Sequence, residues 1–81
     1  MPKAIKGNAG RKPPEPSSNH ADIDEWCRRR VMPDVQPIVM RLDASIRTTV
    51  PGLDYAVKWK RAYYGLPGLG WIIELAPTTF P

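Results

Sequence analysis

The spacing of apolar residues in this chain changes at Pro51-Gly52 from a helical period to strict alternation. Upstream of that break, six apolar residues keep the spacing of one helix face over four turns: Val35, Ile38, Val39, Leu42, Ile46 and Val50. Downstream, apolar and polar residues alternate, as they do in strands with one buried face. Helices followed by strands predict an α+β fold, in which two N-terminal helices pack on a small antiparallel sheet.

A segment closer to the N-terminus carries the same helical spacing. Its apolar face consists of Ile23, Trp26, Cys27 and Val31. Two acidic residues, Asp22 and Asp24, lie in its first turn and the arginines 28–30 lie in its last, which suits the helix dipole. The sequence therefore predicts a first helix that starts near Asn19 and stops before Pro33, because the residue preceding a proline avoids the helical conformation.

The second helix is predicted to start at Asp34, which is a good N-cap residue. Asp43 and Arg47 have the spacing of an ion pair on its solvent side. Its apolar face is predicted to supply the centre of the core, formed by Ile38, Val39, Leu42 and Ile46 against Trp59 and Trp71.

Two segments after Gly52 have the alternation of strands. Tyr55, Val57 and Trp59 alternate with polar residues, although 53–57 could also form a helical turn. Trp71, Ile73 and Leu75 alternate in the same way further on. The intervening Leu66-Pro67-Gly68-Leu69 has the residues of a type II turn, so Arg61–Gly65 and Gly70–Ala76 are predicted to pair as a hairpin.

The chain length and composition limit the class of protein. With 81 residues, it has room for one small domain and excludes a large enzyme with a deep pocket. Residues 1–18 are rich in proline and glycine and hold much of the net charge of +4, so we interpret them as a flexible basic tail and residues 19–81 as the folded domain.

Cysteine usage and hydropathy favour a cytoplasmic protein without a membrane segment. Cys27 is the single cysteine, so an internal disulfide is excluded. No apolar run approaches the ~20 residues that cross a bilayer. His20 lies seven residues from Cys27 in the sequence, or about 10 Å along a helix, too far for a nucleophile and its base. We therefore predict that the protein is not an enzyme and has no cofactor.

Asp22, Asp24 and Glu25 form the acidic cluster of the chain and are the candidate metal ligands, because carboxylate oxygens suit hard cations such as iron. Acidic residues in a first helical turn also arise from ordinary capping and dipole chemistry, and this second explanation is the more common one.

Residues 58–64 interleave basic and aromatic side chains, a composition found on surfaces that bind single-stranded nucleic acid. A half-buried strand with a solvated face has the same alternation, and we favour that interpretation, so nucleic acid is not an expected partner. The aromatic residues form a candidate face for a small ligand or a protein partner: Tyr55, Trp59, Tyr63 and Trp71.

Four separate runs of the sequence have the order and spacing of motifs in a known protein family: Val31–Val39, Val50–Lys60, Ala62–Pro67 and Gly70–Leu75. Together they resemble the YdhG-like family of small bacterial proteins, over roughly residues 7–76. The resemblance implies a small α+β domain with helices against an antiparallel sheet. Most members have no assigned molecular function, and one branch is described as a frataxin-like intracellular iron chaperone.

The resemblance also implies a sheet that is incomplete at its C-terminal end. Family members continue past the strand that resembles Trp71–Leu75 into further strands and a closing helix, whereas this chain has only residues 76–81 there. We therefore expect a truncated member that is marginally stable, with an open sheet edge that favours self-association. Two functions remain open, iron handling through the acidic cluster and ligand or protein binding through the aromatic face.

Overall fold

Two helices precede a three-stranded antiparallel sheet in the computed structural model, which describes residues 12–81. This arrangement confirms the predicted α+β fold. The elements are α1 (Ala21–Arg30), α2 (Gln36–Thr49), β1 (Asp54–Lys58), β2 (Arg61–Leu66) and β3 (Gly70–Leu75). Within residues 12–81, neither helix has the length and apolar character needed to cross a bilayer.

The strands follow one another in the order β1-β2-β3, joined by two tight turns. The predicted turn between β2 and β3 is confirmed, because Gly68 has a φ of 81° and the Leu69 N–H donates to the Leu66 carbonyl at 2.9 Å. The turn between β1 and β2 consists of Trp59 and Lys60, both with positive φ, 55° and 63°. The prediction that Trp59 continues the strand is therefore wrong, since both residues adopt the left-handed geometry that closes a two-residue hairpin.

A register shift between Tyr64 and Gly65 divides β3 between the two faces of the sheet. Ile73 pairs with Tyr64 and packs on the helix side, whereas Trp71 pairs with Gly65 and lies beside the Tyr63 ring on the other side. The prediction that Trp71 and Ile73 share one face is wrong because a bulge adds one residue and reverses the alternation.

The core lies between the two helices and one face of the sheet. Its buried residues are Ile23, Trp26, Cys27, Val31, Val39, Leu53, Ala62 and Tyr64. All four residues of the predicted first-helix stripe are among them. The chain after β3 returns to cover the end of α1, where the Met32 N–H donates to the Thr78 carbonyl at 3.0 Å and the Phe80 N–H donates to the Arg30 carbonyl at 2.8 Å.

Helix α2 is rotated about its axis relative to the prediction. Ile38 is 59% exposed and Leu42 is 46% exposed, so neither forms the centre of the core. The inward row instead contains Val39, Asp43 and Ile46, at helical spacing. Helix α2 also starts one residue later than predicted, with Val35 rather than Asp34 at the N-cap position.

The inward position of Asp43 explains this rotation. Its carboxylate accepts hydrogen bonds from the Tyr64 hydroxyl at 2.7 Å and from Arg47 at 3.4 Å, and it pairs with His20 at 2.9 Å. A buried carboxylate with several partners is tolerated inside a protein, whereas an unpaired one is not. The predicted Asp43–Arg47 pair is present, but Asp43 lies at the core and not on the solvent side.

The prediction of a flexible tail falls largely on residues 1–11, which lie outside the described residues. From Lys12 to Ser17, the chain lies against the sheet. Ser17 and Tyr55 exchange two backbone hydrogen bonds, of 3.0 Å and 2.7 Å, in an isolated antiparallel bridge at the edge of β1. Pro14 is buried. The part of the predicted tail that is described is therefore packed on the domain.

Candidate ligand-binding face

The sheet face opposite the helices, here called the outer face, carries three aromatic rings in a line. The centroids of Trp59 and Tyr63 are 6.0 Å apart, and those of Tyr63 and Trp71 are 5.9 Å apart. The three rings are inclined to one another and not stacked in parallel, a common geometry for aromatic pairs. We call Trp59, Tyr63 and Trp71 the aromatic row.

Tyr55 does not belong to the aromatic row. It pairs with Tyr64 across β1 and β2, and the two rings meet edge to face on the helix side with centroids 5.8 Å apart. The His20 ring lies 5.1 Å from Tyr55 on the same side. Of the four aromatic residues predicted to form one face, the structure therefore brings three together.

Each ring of the aromatic row is placed by a different local feature. The left-handed turn positions Trp59, and strand alternation directs Tyr63 to the outer face. The bulge brings Trp71 over Gly65, and a Cβ on Gly65 would lie 2.8 Å from Cε3 of Trp71 and 2.5 Å from the Gly70 carbonyl oxygen. Glycine at position 65 is therefore required for Trp71 to reach this place.

A cleft of about 370 Å³ lies beside Trp71. Its walls belong to the Trp71 end of the sheet and to the proline-rich segment before α1, and they are formed by Pro13, Pro14, Pro16, Asp54, Gly65, Leu66, Gly68, Gly70 and Trp71. The carboxylate of Asp54 is the one ionisable side chain among them. An apolar cleft with a single charged group is suited to an apolar ligand group.

The segment Lys12–Ser17 contacts both ends of β1 and lines the cleft with its prolines. The Lys58 ammonium donates to the Lys12 carbonyl at 2.6 Å, at one end of the strand. At the other end, Asp54 shares the cleft with Pro16, and Ser17 pairs with Tyr55. Ala56, midway between them, is buried although the helices lie on the opposite side. The segment therefore lies over part of the outer face and joins the edge of β1 at Ser17.

Basic groups border the aromatic row. The Lys58 ammonium lies 5.1 Å from the Trp59 ring centroid, within the range of a cation–π contact. Arg61 and Glu74 form an exposed ion pair of 2.8 Å on neighbouring strands. These contacts keep the Trp59 end polar and charged, whereas the Trp71 end is apolar.

The predicted metal ligands do not form one site. Asp22 and Glu25 line a surface depression together with Arg29, whereas Asp24 lines a separate one with Cys27. Asp24 and Glu25 are each paired with an arginine one turn later, at 3.1 Å and 3.4 Å. Over residues 12–81, no group of three His, Cys, Asp or Glu side chains is placed to hold a metal ion. Iron handling stays a prediction without support from this geometry.

The polar cluster of Asp43, His20 and Tyr64 was not anticipated from the sequence. The pKa of the Tyr64 phenol is raised well above its usual range, mainly by burial and secondly by the hydrogen bond to Asp43. Burial also raises the pKa of the Cys27 thiol, which opposes formation of a thiolate. This cluster joins the N-cap of α1 to α2 and β2, and its carboxylate is already engaged by protein groups, so its arrangement is that of a structural network.

No family model, curated protein or solved structure matches this chain. The resemblance to the YdhG-like family therefore stays a prediction based on the quoted sequence runs.

Proposed function

We propose that this protein is a small binding module that holds an apolar group of a ligand or partner protein in the cleft beside the aromatic row. The observation that carries the proposal is the cleft of about 370 Å³ between Trp71 and the proline-rich segment. Ligand sites are typically concave, mainly apolar and provided with few polar groups. Because the Trp71 ring forms one wall, a bound apolar group would contact an aromatic surface.

The class and location of the protein are part of this proposal. The sequence runs that resemble the YdhG-like family favour a domain of that type, and the single cysteine favours the cytoplasm. A non-catalytic role is favoured because Cys27 is buried with a raised pKa and His20 is paired with Asp43.

The binding proposal is tested by a two-dimensional NMR titration of the full chain with three neutral probes: indole, benzamide and cyclohexanol. We expect shifts concentrated on the Trp71 indole and on the amides of Gly65, Gly68 and Gly70. The Trp71→Ala variant should lose these shifts, because it removes one wall of the cleft.

Leu69→Ala is the matched control for this titration. Leu69 lies in the turn between β2 and β3, two residues before Trp71, is 74% exposed and does not line the cleft. It should respond to the probes as the unmodified chain does, with both variants checked for folding by far-ultraviolet circular dichroism. Absent shifts in the unmodified chain, or equal shifts in folded Trp71→Ala, would overturn the proposal.

We also propose that the chain associates with a second copy through the outer edge of β3. Among the described residues, β3 pairs with β2 alone, and Ile72 in this strand is 48% exposed. An edge strand with an exposed apolar residue favours pairing with another strand.

Light scattering coupled to size exclusion tests this association. We expect the molar mass to rise with concentration, and the Ile72→Lys variant to remain monomeric because a charge on an edge strand opposes pairing. Leu69→Lys adds the same charge in a turn and should associate normally. A monodisperse monomer with a sharp thermal melt at all concentrations would contradict the proposal.

A further inference from the structure

The segment Lys12–Ser17 shows which chemistry fits the outer face of the sheet. Its first residue accepts a hydrogen bond from the Lys58 side chain, its three prolines share a cleft with Asp54 and Trp71, and Ser17 at its end forms an antiparallel bridge with Tyr55. Its position is fixed by the Lys58 hydrogen bond at one end and by the Ser17 bridge at the other, with buried Pro14 between them. The segment is thus held by a side-chain hydrogen bond from Lys58, by the backbone bridge of Ser17 at the edge of β1 and by the burial of Pro14.

The sequence of this segment is Lys12-Pro13-Pro14-Glu15-Pro16, with three prolines in five residues. Each proline ring fixes its own φ, and a proline also drives the residue before it into an extended conformation. Such a segment loses little conformational entropy when it docks, because it is extended before it binds. Aromatic grooves recognise proline-rich peptides for this reason.

We infer that the partner of this protein is a proline-rich peptide segment, which docks on the outer face beside Trp71 and competes there with the chain's own Lys12–Pro16. This inference rests on the proposed function and names its ligand class: the peptide takes the place of the chain's own proline wall of the cleft, and its prolines then face Trp71. The three prolines and Trp71 already line the same cleft, so proline rings and an indole ring are the facing surfaces of the site. An incoming proline-rich peptide would present the same chemistry to Trp71 and Leu66.

The chain's own segment acts as an intramolecular competitor. A tethered segment has an effective concentration in the millimolar range, so it reduces the apparent affinity for a peptide in solution. The apparent affinity is the intrinsic affinity multiplied by the fraction of molecules whose face is free. Weakening the segment should therefore increase the affinity of the face for an external peptide.

The experiment uses the full chain and a synthetic peptide with the sequence of residues 12–17, acetylated and amidated at its ends. Binding is followed by NMR shifts of the Ala56 and Gly65 amides and the Trp71 indole. In a released variant, Pro13, Pro14 and Pro16 are each replaced by serine. We expect this variant to bind the peptide at least about tenfold more tightly than the unmodified chain. This factor corresponds to a face that is free in about a tenth of the unmodified molecules and in all molecules of the variant.

Three controls define the specificity of this binding. A peptide with alanine in place of each proline should bind at least about tenfold more weakly, since it is not extended before binding. Trp71→Ala in the released background should abolish the shifts. Pro81→Ser, at an exposed proline outside the cleft, should leave the affinity of the unmodified chain unchanged.

The folded state of the released variant is checked by circular dichroism. Should the triple replacement unfold the domain, the single Pro14→Ser variant is measured by the same criterion. Equal affinities of the released and unmodified chains, or equal binding of the proline and alanine peptides, would overturn the inference. Neutral probes that shift Trp71 while the peptide does not would leave the cleft as a binding site and reject only the proline-rich partner. Absence of both signals would reject the proposed function as well.

Discussion

The indole Nε1 of Trp26 donates a hydrogen bond to the carbonyl oxygen of Lys60 at 3.1 Å. Trp26 is buried on α1, and Lys60 is the second residue of the left-handed turn between β1 and β2. This contact joins the first helix to the hairpin that carries Trp59, the first ring of the aromatic row. The contact therefore links the core on the helix side of the sheet to the position of Trp59 on the outer face.

Replacing Trp26 by phenylalanine should remove this donor and retain an aromatic ring. We expect the free energy of unfolding to fall by about 1–3 kcal/mol, from the lost hydrogen bond and from the smaller ring in a packed site. Chemical denaturation measures the change. Trp59→Phe is the matched control, because Trp59 is 46% exposed, and its effect should stay within about 0.5 kcal/mol. Equal effects of the two replacements would contradict a specific role for the Trp26–Lys60 contact.

Gly65→Ala should displace Trp71. The added Cβ would lie 2.5 Å from the Gly70 carbonyl oxygen, so the backbone of β3 has to move. We expect a loss of about 1–3 kcal/mol in unfolding free energy, as for other overpacked sites, and a changed near-ultraviolet circular dichroism signal. Gly52→Ala is the control, because Gly52 has a φ of 73° but open space around its Cβ position. It should reduce stability through backbone strain without altering the Trp71 signal.

Local chemistry made part of this fold predictable from the sequence. The burial of the first-helix stripe from Ile23 to Val31 is confirmed. It was predictable because the four apolar residues all lie on one face of the helix. The turn at Pro67-Gly68 is confirmed because proline and glycine have strong backbone preferences of their own. Both features depend on residues that are close together in the chain.

The rotation of α2 depended on contacts between distant residues. Its sequence offers two neighbouring apolar rows, one through Ile38 and Leu42 and one through Val39 and Ile46. The second row faces the core because Asp43 lies on it and has its partners, His20 and Tyr64, 23 and 21 residues away in the sequence. Asp43 looks like an ordinary surface residue when only its helical neighbours are considered, so the sequence pattern favoured the wrong row.

The outer face was predictable only in composition. Strand alternation correctly places Tyr63 on the sheet face opposite to that of its neighbours Ala62 and Tyr64. It misplaces Trp71, because a bulge has no clear signature in the run Gly70–Leu75. The contact of Lys12–Ser17 with β1 was also missed, since proline-rich composition indicates little tendency to fold alone and gives no information about docking. The glycine at position 65 is the signal that could have indicated the bulge.

Tyr64→Phe should show how much the buried network contributes to stability. The variant removes the hydroxyl that donates to Asp43 at 2.7 Å and keeps the ring in place. We expect a loss of about 1.5–3 kcal/mol in the free energy of unfolding, since the acceptor is a buried carboxylate. Tyr63→Phe is the matched control, because over residues 12–81 the Tyr63 hydroxyl makes no hydrogen bond to a side chain. A loss in Tyr63→Phe as large as that in Tyr64→Phe would contradict the role of the network.

The same residue should make stability fall at alkaline pH. In the folded state the pKa of Tyr64 lies above its ordinary value of 10.0, mainly because of burial and secondly because of the hydrogen bond to Asp43. Above about pH 10 the phenol therefore loses its proton in the unfolded chain and keeps it in the folded one, and the free energy of unfolding decreases as the pH rises. Tyr64→Phe lacks this group and this contribution to the decrease. The stability difference between the unmodified chain and Tyr64→Phe should thus be constant near neutral pH and shrink above about pH 10, with a slope that approaches 1.4 kcal/mol per pH unit. Urea denaturation at a series of pH values measures this difference, and a constant difference up to about pH 11 would mean that Tyr64 ionises as readily in the folded chain as in the unfolded one.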